Sequence, residues 1–214
     1  MSRAAFLCLG VLALLNPLFP PEAKADSGCT FTTYTWNTQL GQAVDHRTVE
    51  KARSELTADE IHEETGCTVC KEDMMPISIP GVEPVFVCAW LAPRFQSALD
   101  QAYWAGEPII SLVGQRVGKT KGPADENGDR TQYSYHSYGI ALDVNPERNG
   151  LYTECNTFGP DCRLLQGGEW RAGQPESITT DSVLVREMKA EGFLWGGEIT
   201  GRQKDFMHFS PSGY

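Results

Sequence analysis

The sequence predicts an α+β fold: a single domain with a central antiparallel sheet, helices packed on one side of it, and a disulfide-stabilised N-terminal region. Three observations lead there. Helix-like and strand-like segments come mixed, without a regular βαβ rhythm. The strand signals are short, and the clearest helix is one amphipathic stretch, Leu91 to Ala105. Once an apolar leader is set aside, an even set of cysteines remains: Cys29, Cys67, Cys70, Cys88, Cys155 and Cys162.

The leader is read from residues 1–25. Arg3 gives a positive start, Ala4 to Leu15 is mostly apolar, and Pro17, Pro20 and Pro21 break any helix that follows. Ala23-Lys24-Ala25 supplies the small residues a signal peptidase needs, so cleavage is expected after Ala25. The apolar run is too short to span a bilayer, and no membrane insertion is expected after cleavage. The protein is therefore expected to be exported, periplasmic or extracellular. Losing Arg3, Glu22 and Lys24 moves the formal charge from -10 to -11. That acidic balance argues against nucleic acid as a partner, because phosphate contacts need Lys and Arg. Apolar content of 41% and charged content of 21% exclude a disordered tail and a polytopic membrane protein.

In an oxidising compartment the remaining cysteines predict three disulfides. Cys155 and Cys162 bracket a turn-rich stretch, Asn156 to Asp161, and are the favoured pair. The other pairings stay open. Cys67-Thr68-Val69-Cys70 reads as structural cysteines, since no second C-x-x-C and no strand-then-helix context accompanies it.

Along the chain, residues 26–90 form an N-terminal cysteine-containing extension and 91–214 the core. Residues 26–45 are polar and threonine-rich and read as an irregular, disulfide-tethered arm. Thr48 to Glu64 reads as helical, with few breakers and a capping-box spacing at Thr57 and Glu60. Pro84 to Cys88 is β-rich. In the Leu91–Ala105 helix, Leu91, Phe95, Ala98, Leu99 and Ala102 recur at helical spacing, and Gly106 ends it. Pro108 to Val113 reads as a buried strand, Lys119 to Arg130 as a polar loop, and Gly139 to Val144 as a second compact strand. Residues 146–180, rich in Gly, Pro and Asn, read as a long loop insertion. Ser182 caps a helix from Val183 to Glu191 that stops at Gly192, and Asp205 to Phe209 reads as one last strand.

Four histidines are available. His46 and His62 sit in charged stretches without ligand spacing, as solvent-facing residues of the predicted helix region. His136 and His208 each lie where a loop meets an apolar strand, with a carboxylate nearby in sequence. His136 and Asp143 are seven residues apart, and Gly139 allows the bend that brings one towards the other. Ile140, Leu142 and Val144 then fall on one strand face, and Ala141 and Asp143 on the opposite one. Zinc takes imidazole nitrogen and carboxylate oxygen and, in catalytic sites, keeps one position for water. His208 would be a third ligand. Asp205, three residues earlier, needs a bend or bulge to reach the same place. From spacing alone these residues also suit satisfied core histidines and a strand-end carboxylate.

Ser134-Tyr135-His136-Ser137-Tyr138-Gly139-Ile140-Ala141-Leu142-Asp143 resembles the S-x-H-x-x-G-x-A-x-D element of a zinc peptidase family. Its members are D-alanyl-D-alanine carboxypeptidases, D,D-dipeptidases and L-alanyl-D-glutamate endopeptidases, with a hedgehog-like fold. Asp205-Phe206-Met207-His208, downstream of Trp195-Gly196, resembles the family's acidic-x-x-His element, and Asp in place of Glu points to the endolysin and L-alanyl-D-glutamate branch. The resemblance covers roughly residues 91–210.

It implies one zinc ion per chain held by His136, Asp143 and His208, with Asp205 as general base. It also implies an arginine for the oxyanion. Arg116, in Val113-Gly114-Gln115-Arg116-Val117, is the match, although Gln and Val stand where the family has Tyr and Ser; Arg130 is the alternative. Ser134 is expected to hydrogen-bond substrate or to support a ligand, and Trp195 to pack the cleft wall. The implied substrate is a peptidoglycan peptide. Three readings differ from an endopeptidase: a D-Ala-D-Ala carboxypeptidase, with the 146–180 segment closing one end of the groove; a catalytically inactive, zinc-bearing cell-wall binding or scaffold module; and a non-haem iron oxygenase, whose usual H-x-[DE] pair is absent.

Overall fold

The computed structural model describes residues 28–214; the expected signal and its cleavage point lie outside the described residues. Two long strands open the chain, β1 (Gly28–Asn37) and β2 (Gln42–Ala52). A small hairpin follows, β3 (Met74–Ile77) and β4 (Val85–Cys88), then helix α1 (Ala92–Trp104). Next come β5 (Leu112–Val113), β6 (Val117–Ala124), β7 (Arg130–Tyr133) and β8 (Leu142–Val144). The last third holds β9 (Leu151–Thr153), β10 (Arg163–Gln166), helix α2 (Val183–Ala190), β11 (Leu194–Trp195), β12 (Gln203–Asp205) and β13 (His208–Ser210).

The fold is α+β, as expected. At its centre an antiparallel sheet runs β11-β13-β8-β5. A second sheet, β2-β1-β6-β7, joins the first strands to the middle of the chain, β1 running parallel to β6. The third, β10-β9-β12, is antiparallel. The two helices pack on each other, with Phe95 of α1 stacked on Phe193 just after α2 at 3.9 Å between ring centres. Phe95, Leu99, Leu184, Met188 and Phe193 are buried together with Ile140, Leu142, Val144 and Phe209 of the central region. Burial of these side chains stabilises the domain by about 2 kcal/mol each.

Helix α1 matches its expected span to within a residue at each end, and so does α2. The capping of α2 differs from expectation. The Ser182 hydroxyl accepts from Thr179 N–H, while the first amides of α2, on Val183 and Leu184, donate to the Glu107 carboxylate. A negative charge there also complements the helix dipole.

Several expectations are corrected. Residues 28–37 are not an irregular arm but β1, in which Cys29, Phe31 and Thr33 point inwards and Thr30 and Thr32 are more exposed. Threonine is β-branched and favours a pleated, half-buried surface. Thr48 to Glu64 is not a helix. Thr48 and Val49 pair with Thr32 and Phe31, and two short 3-10 turns, Arg53–Glu55 and Ala58–Glu60, follow. The Thr57–Glu60 capping contact survives in the second turn, with Thr57 N–H donating to Glu60 at 2.8 Å. Cross-strand pairing outweighs the helix propensity of Glu, Lys and Ala.

Lys119 to Arg130 belongs to the β6–β7 hairpin, interrupted by two register shifts. Only Leu112–Val113 of the 108–113 run is strand, at the sheet edge, and Ile110 is exposed. Likewise only Leu142–Val144 of the 139–144 run is strand, with Gly139 at the end of a 3-10 turn, Tyr135–Tyr138. The 146–180 segment contains the β9–β10 hairpin, closed at its tip by a disulfide.

All six cysteines among the described residues are paired: Cys29–Cys70, Cys67–Cys88 and Cys155–Cys162. The last is the favoured pair. The two others tie β1 and β4 to the segment 67–70, so the C-x-x-C cysteines bond outwards and not to each other. Three disulfides fit an oxidising, exported compartment. Among the described residues no helix is long and apolar enough to cross a membrane.

Candidate metal centre

Three strands and one short turn position the site. Asp143 sits mid-strand in β8. His208, at the start of β13, is its direct cross-strand partner, which places the two side chains on one face. His136 arrives on the 3-10 turn Tyr135–Tyr138. That turn ends at Gly139 with φ of 65°, and the left-handed residue folds the chain back into β8. The turn itself is pinned to β6: the Ser137 hydroxyl accepts from Gly118 N–H and donates to Gly118 carbonyl, both at 3.1 Å. Ser137 carried no sequence signal of this role.

Gly139 is required twice over. A Cβ there would lie 2.5 Å from the Cys88 backbone nitrogen, 2.6 Å from Met74 Sδ and 3.0 Å from the Val87 carbonyl carbon. Gly139→Ala is expected to lower stability by about 3 kcal/mol, adding left-handed strain to a clash with a backbone that the Cys67–Cys88 disulfide holds. Urea denaturation at neutral pH measures it; a loss below about 1 kcal/mol would show that β4 can give way.

His136, Asp143 and His208 converge. His136 Nε2 lies 3.0 Å from Asp143 Oδ1, His208 Nδ1 lies 2.9 Å from the same oxygen, and the two nitrogens are 3.3 Å apart. All three residues are buried. Their outer atoms settle what the inner ones carry. His136 Nδ1 is 2.8 Å from the Gly114 carbonyl, and His208 Nε2 is 3.2 Å from the Tyr214 carbonyl. A carbonyl only accepts, so both outer nitrogens are the N–H donors. In the neutral rings the inner nitrogens then present bare lone pairs, facing each other and a carboxylate oxygen. That arrangement is repulsive unless a cation sits among them. Zinc–ligand bonds of about 2.0–2.1 Å in a tetrahedron put ligand atoms about 3.3 Å apart, close to these separations. The outer hydrogen bonds are the kind that orient metal-binding imidazoles.

Asp143 has its second oxygen occupied, since Arg116 donates to Oδ2 at 3.1 Å. Burial works to raise the Asp143 carboxyl; where the inner nitrogens carry protons in place of a metal ion, the charge and hydrogen bonds of His136 and then His208 hold it well below the usual carboxylate range. The Arg116 guanidinium is partly buried. Desolvation works against its charge, while Asp143 and then Tyr34 beside it raise its pKa above the ordinary value. Arg130 does not come here. Its Nη1 donates to the Gly122 carbonyl within the β6–β7 hairpin.

Asp205 ends β12 and His208 begins β13, so the expected single strand is two strands in two sheets, separated by Phe206 and Met207. The turn between them supplies the required bend. Gly196 stitches both sides: Asp205 N–H donates to its carbonyl at 3.0 Å, and its own N–H donates to the His208 carbonyl at 2.8 Å. A Cβ on Gly196 would meet the Asp205 carbonyl oxygen at 2.3 Å, which explains glycine after Trp195. Trp195 is buried and donates from Nε1 to the Phe206 carbonyl. Phe206 in turn stacks on Trp170 at 4.3 Å, with Tyr152 and Phe158 edge-on to it. This aromatic cluster, none of it apparent from spacing, anchors the turn between the carboxylate and the histidine.

Asp205 Oδ1 is enclosed, with no hydrogen-bond partner among the described residues. Burial pushes the carboxyl up to about 6; His208 pulls it down, Asp143 pushes it up, and Lys121 and Arg116 pull it down.

Ser134 is buried rather than open to a groove, its hydroxyl 3.5 Å from that of Ser137 beneath the His136 turn. His46 and His62 lie on β2 and after a 3-10 turn, not on a helix. His62 packs against the rings of Tyr135 and Tyr138, and its pKa falls below the ordinary value, first through burial.

Residues 127–211 match the family model described as D-alanyl-D-alanine carboxypeptidase. The match spans 85 of the 214 residues and includes His136, Asp143, Asp205 and His208, but not Arg116. No curated protein and no solved structure matches the chain significantly.

Proposed function

We propose that the protein is an exported zinc-dependent peptidase that hydrolyses peptidoglycan stem peptides. The observation that carries this reading is the convergence of two imidazole nitrogens and one carboxylate oxygen beside a second, enclosed carboxylate. The partial match to a D-alanyl-D-alanine carboxypeptidase family supports it, and three disulfides suit work on a substrate outside the cytoplasm.

His136 Nε2, Asp143 Oδ1 and His208 Nδ1 would hold the ion. Zinc bound there would acidify a water and polarise the scissile carbonyl. Asp205 acts as the general base: it accepts a proton from the attacking water and returns it to the leaving amine. Arg116 keeps one N–H on Asp143 Oδ2 and offers another towards the negative charge that develops on the carbonyl oxygen. Ser134, facing inwards, supports the turn that carries His136. Residues 91–214 form the catalytic part, with 28–90 laid against it.

Aspartate at position 205 favours an L-alanyl-D-glutamate endopeptidase over a carboxypeptidase. Digestion of purified muropeptides followed by mass measurement separates the two. The endopeptidase releases the stem after its first L-alanine, whereas a carboxypeptidase removes only a terminal D-alanine. Zinc-loaded protein that leaves every muropeptide intact would instead identify a non-catalytic cell-wall binding module.

A further inference from the structure

Arg116 stands in a segment outside the matched family region, and so does the residue whose phenol acts on its guanidinium alongside Asp143. That residue is Tyr34, in β1 of the N-terminal extension. β1 pairs in parallel with β6, and Tyr34 is opposite Gly118. Arg116 lies two residues before Gly118, so its side chain leaves on the same face. The Tyr34 ring lies flat across Gly118: a Cβ there would come within 2.6 Å of Tyr34 Cζ and 2.8 Å of Cε1. Only glycine lets the phenol cross the strand at this point, towards the side chain of Arg116.

The β1–β2 ladder is also deformed at this point. Thr33 pairs with Arg47 and Thr35 with Val44, so Asp45 and His46 together oppose Tyr34 alone. Asp45 takes a φ of 55° to make this bulge. Bulges re-aim a side chain at the cost of ladder bonds and are over-represented next to active sites. The displaced His46 ring stacks on Tyr34 at 5.6 Å and backs it from the solvent side.

We propose that Tyr34 is a positioning residue of the metal centre: its phenol oxygen fixes the Arg116 guanidinium, so that one N–H stays on Asp143 Oδ2 while another faces the reacting carbonyl. An arginine side chain has rotamer entropy to lose, and a second fixed contact removes it in advance. On this view the β1–β2 hairpin completes the site from outside the core. The kinetic part of the inference rests on the peptidase reading; the geometric part does not.

The test uses the full mature protein, zinc-loaded, with Tyr34→Phe and Gly118→Ala. Tyr34→Phe keeps the ring and removes only the oxygen; Gly118→Ala keeps the tyrosine and lifts it off the strand. The first readout is the side-chain 15N spectrum, with the Arg116 guanidinium assigned by its loss in Arg116→Lys. In the wild type its Nη signals should be resolved by slow rotation, and in both variants they should merge.

The second readout is hydrolysis. Both variants should lose about tenfold in kcat with KM and zinc content unchanged. In the Arg116→Lys background Tyr34→Phe should cost less than twofold, because the group it positions is gone. An Arg116 signal that is unaltered in both variants overturns the proposal, as does an undiminished loss in the Arg116→Lys background. If the wild type binds zinc but hydrolyses nothing, the peptidase reading fails and the 15N spectrum alone decides the role of Tyr34.

Discussion

Purified protein beginning at residue 26 will carry about one zinc per chain, and His208→Ala will lose it together with at least a thousandfold of any hydrolytic rate. The expectation follows from the arrangement of protons. Gly114 and Tyr214 carbonyls claim the outer N–H of His136 and His208, leaving two bare nitrogens within 3.3 Å of each other and about 3 Å from Asp143 Oδ1. Removing one imidazole relieves the crowding and leaves too few ligands. The variant should therefore fold, and chelator-treated wild type should be less stable than zinc-loaded wild type by several kcal/mol, as expected for a ligand bound far below its working concentration. In His208→Ala the chelator should change the thermal midpoint hardly at all. Metal analysis by mass spectrometry and a melting curve with and without chelator check both statements. Folded protein never exposed to chelator that holds no zinc would remove the mechanism.

The parts legible in the sequence are those where chemistry needs fixed residue types at fixed local distances. His136, Gly139 and Asp143 lie within one turn-and-strand unit, and the glycine bend between them is what the spacing required. Helix α1 was legible because its apolar residues recur on one face and Gly106 stops it. The β1–β2 hairpin was not. Its second strand mixes Ala43, Arg47, Glu50, Lys51 and Ala52, which suit a helix locally, with the β-branched Val44, Thr48 and Val49. What makes it a strand is pairing with β1 and the Cys29–Cys70 disulfide, which spans 41 residues of chain. Long-range contacts leave no periodic trace. The same holds for Tyr34, whose partner Arg116 is distant in sequence, and for the aromatic cluster around Phe206, assembled from residues 152, 158, 170 and 206. The Asp205–His208 element was readable as a motif but not as a shape. Asp205 to Phe209 looked like one strand, and the enclosure of Phe206 and Met207 is what turns Asp205 and His208 into the ends of two.

Asp205→Asn will separate metal binding from turnover. Asp205 lies outside the converging trio, so the variant should hold zinc like the wild type while kcat falls by about a thousandfold or more. The carboxylate also leaves a signature in the metal-free protein. Burial lifts its pKa from the ordinary 3.8 to about 6, so the folded state binds this proton more tightly than the unfolded chain does. Folding then takes up a proton between these values. The stability it contributes is fully present below about 3.8 and is lost as pH rises through about 6, a change of about 3 kcal/mol. In metal-free Asp205→Asn that decline should be absent, so the variant should exceed the wild type in stability at pH 7 and not at pH 4. Bound zinc adds a positive charge to those of Lys121 and Arg116, which already pull the carboxyl down. The acid limb of kcat/KM for the loaded enzyme should therefore lie below 6. Urea midpoints from pH 4 to 7 and a pH–rate profile measure the two effects separately. A variant that hydrolyses at the wild-type rate would show that another group takes the proton, and that the enclosed carboxylate is a cost the fold bears for some other reason.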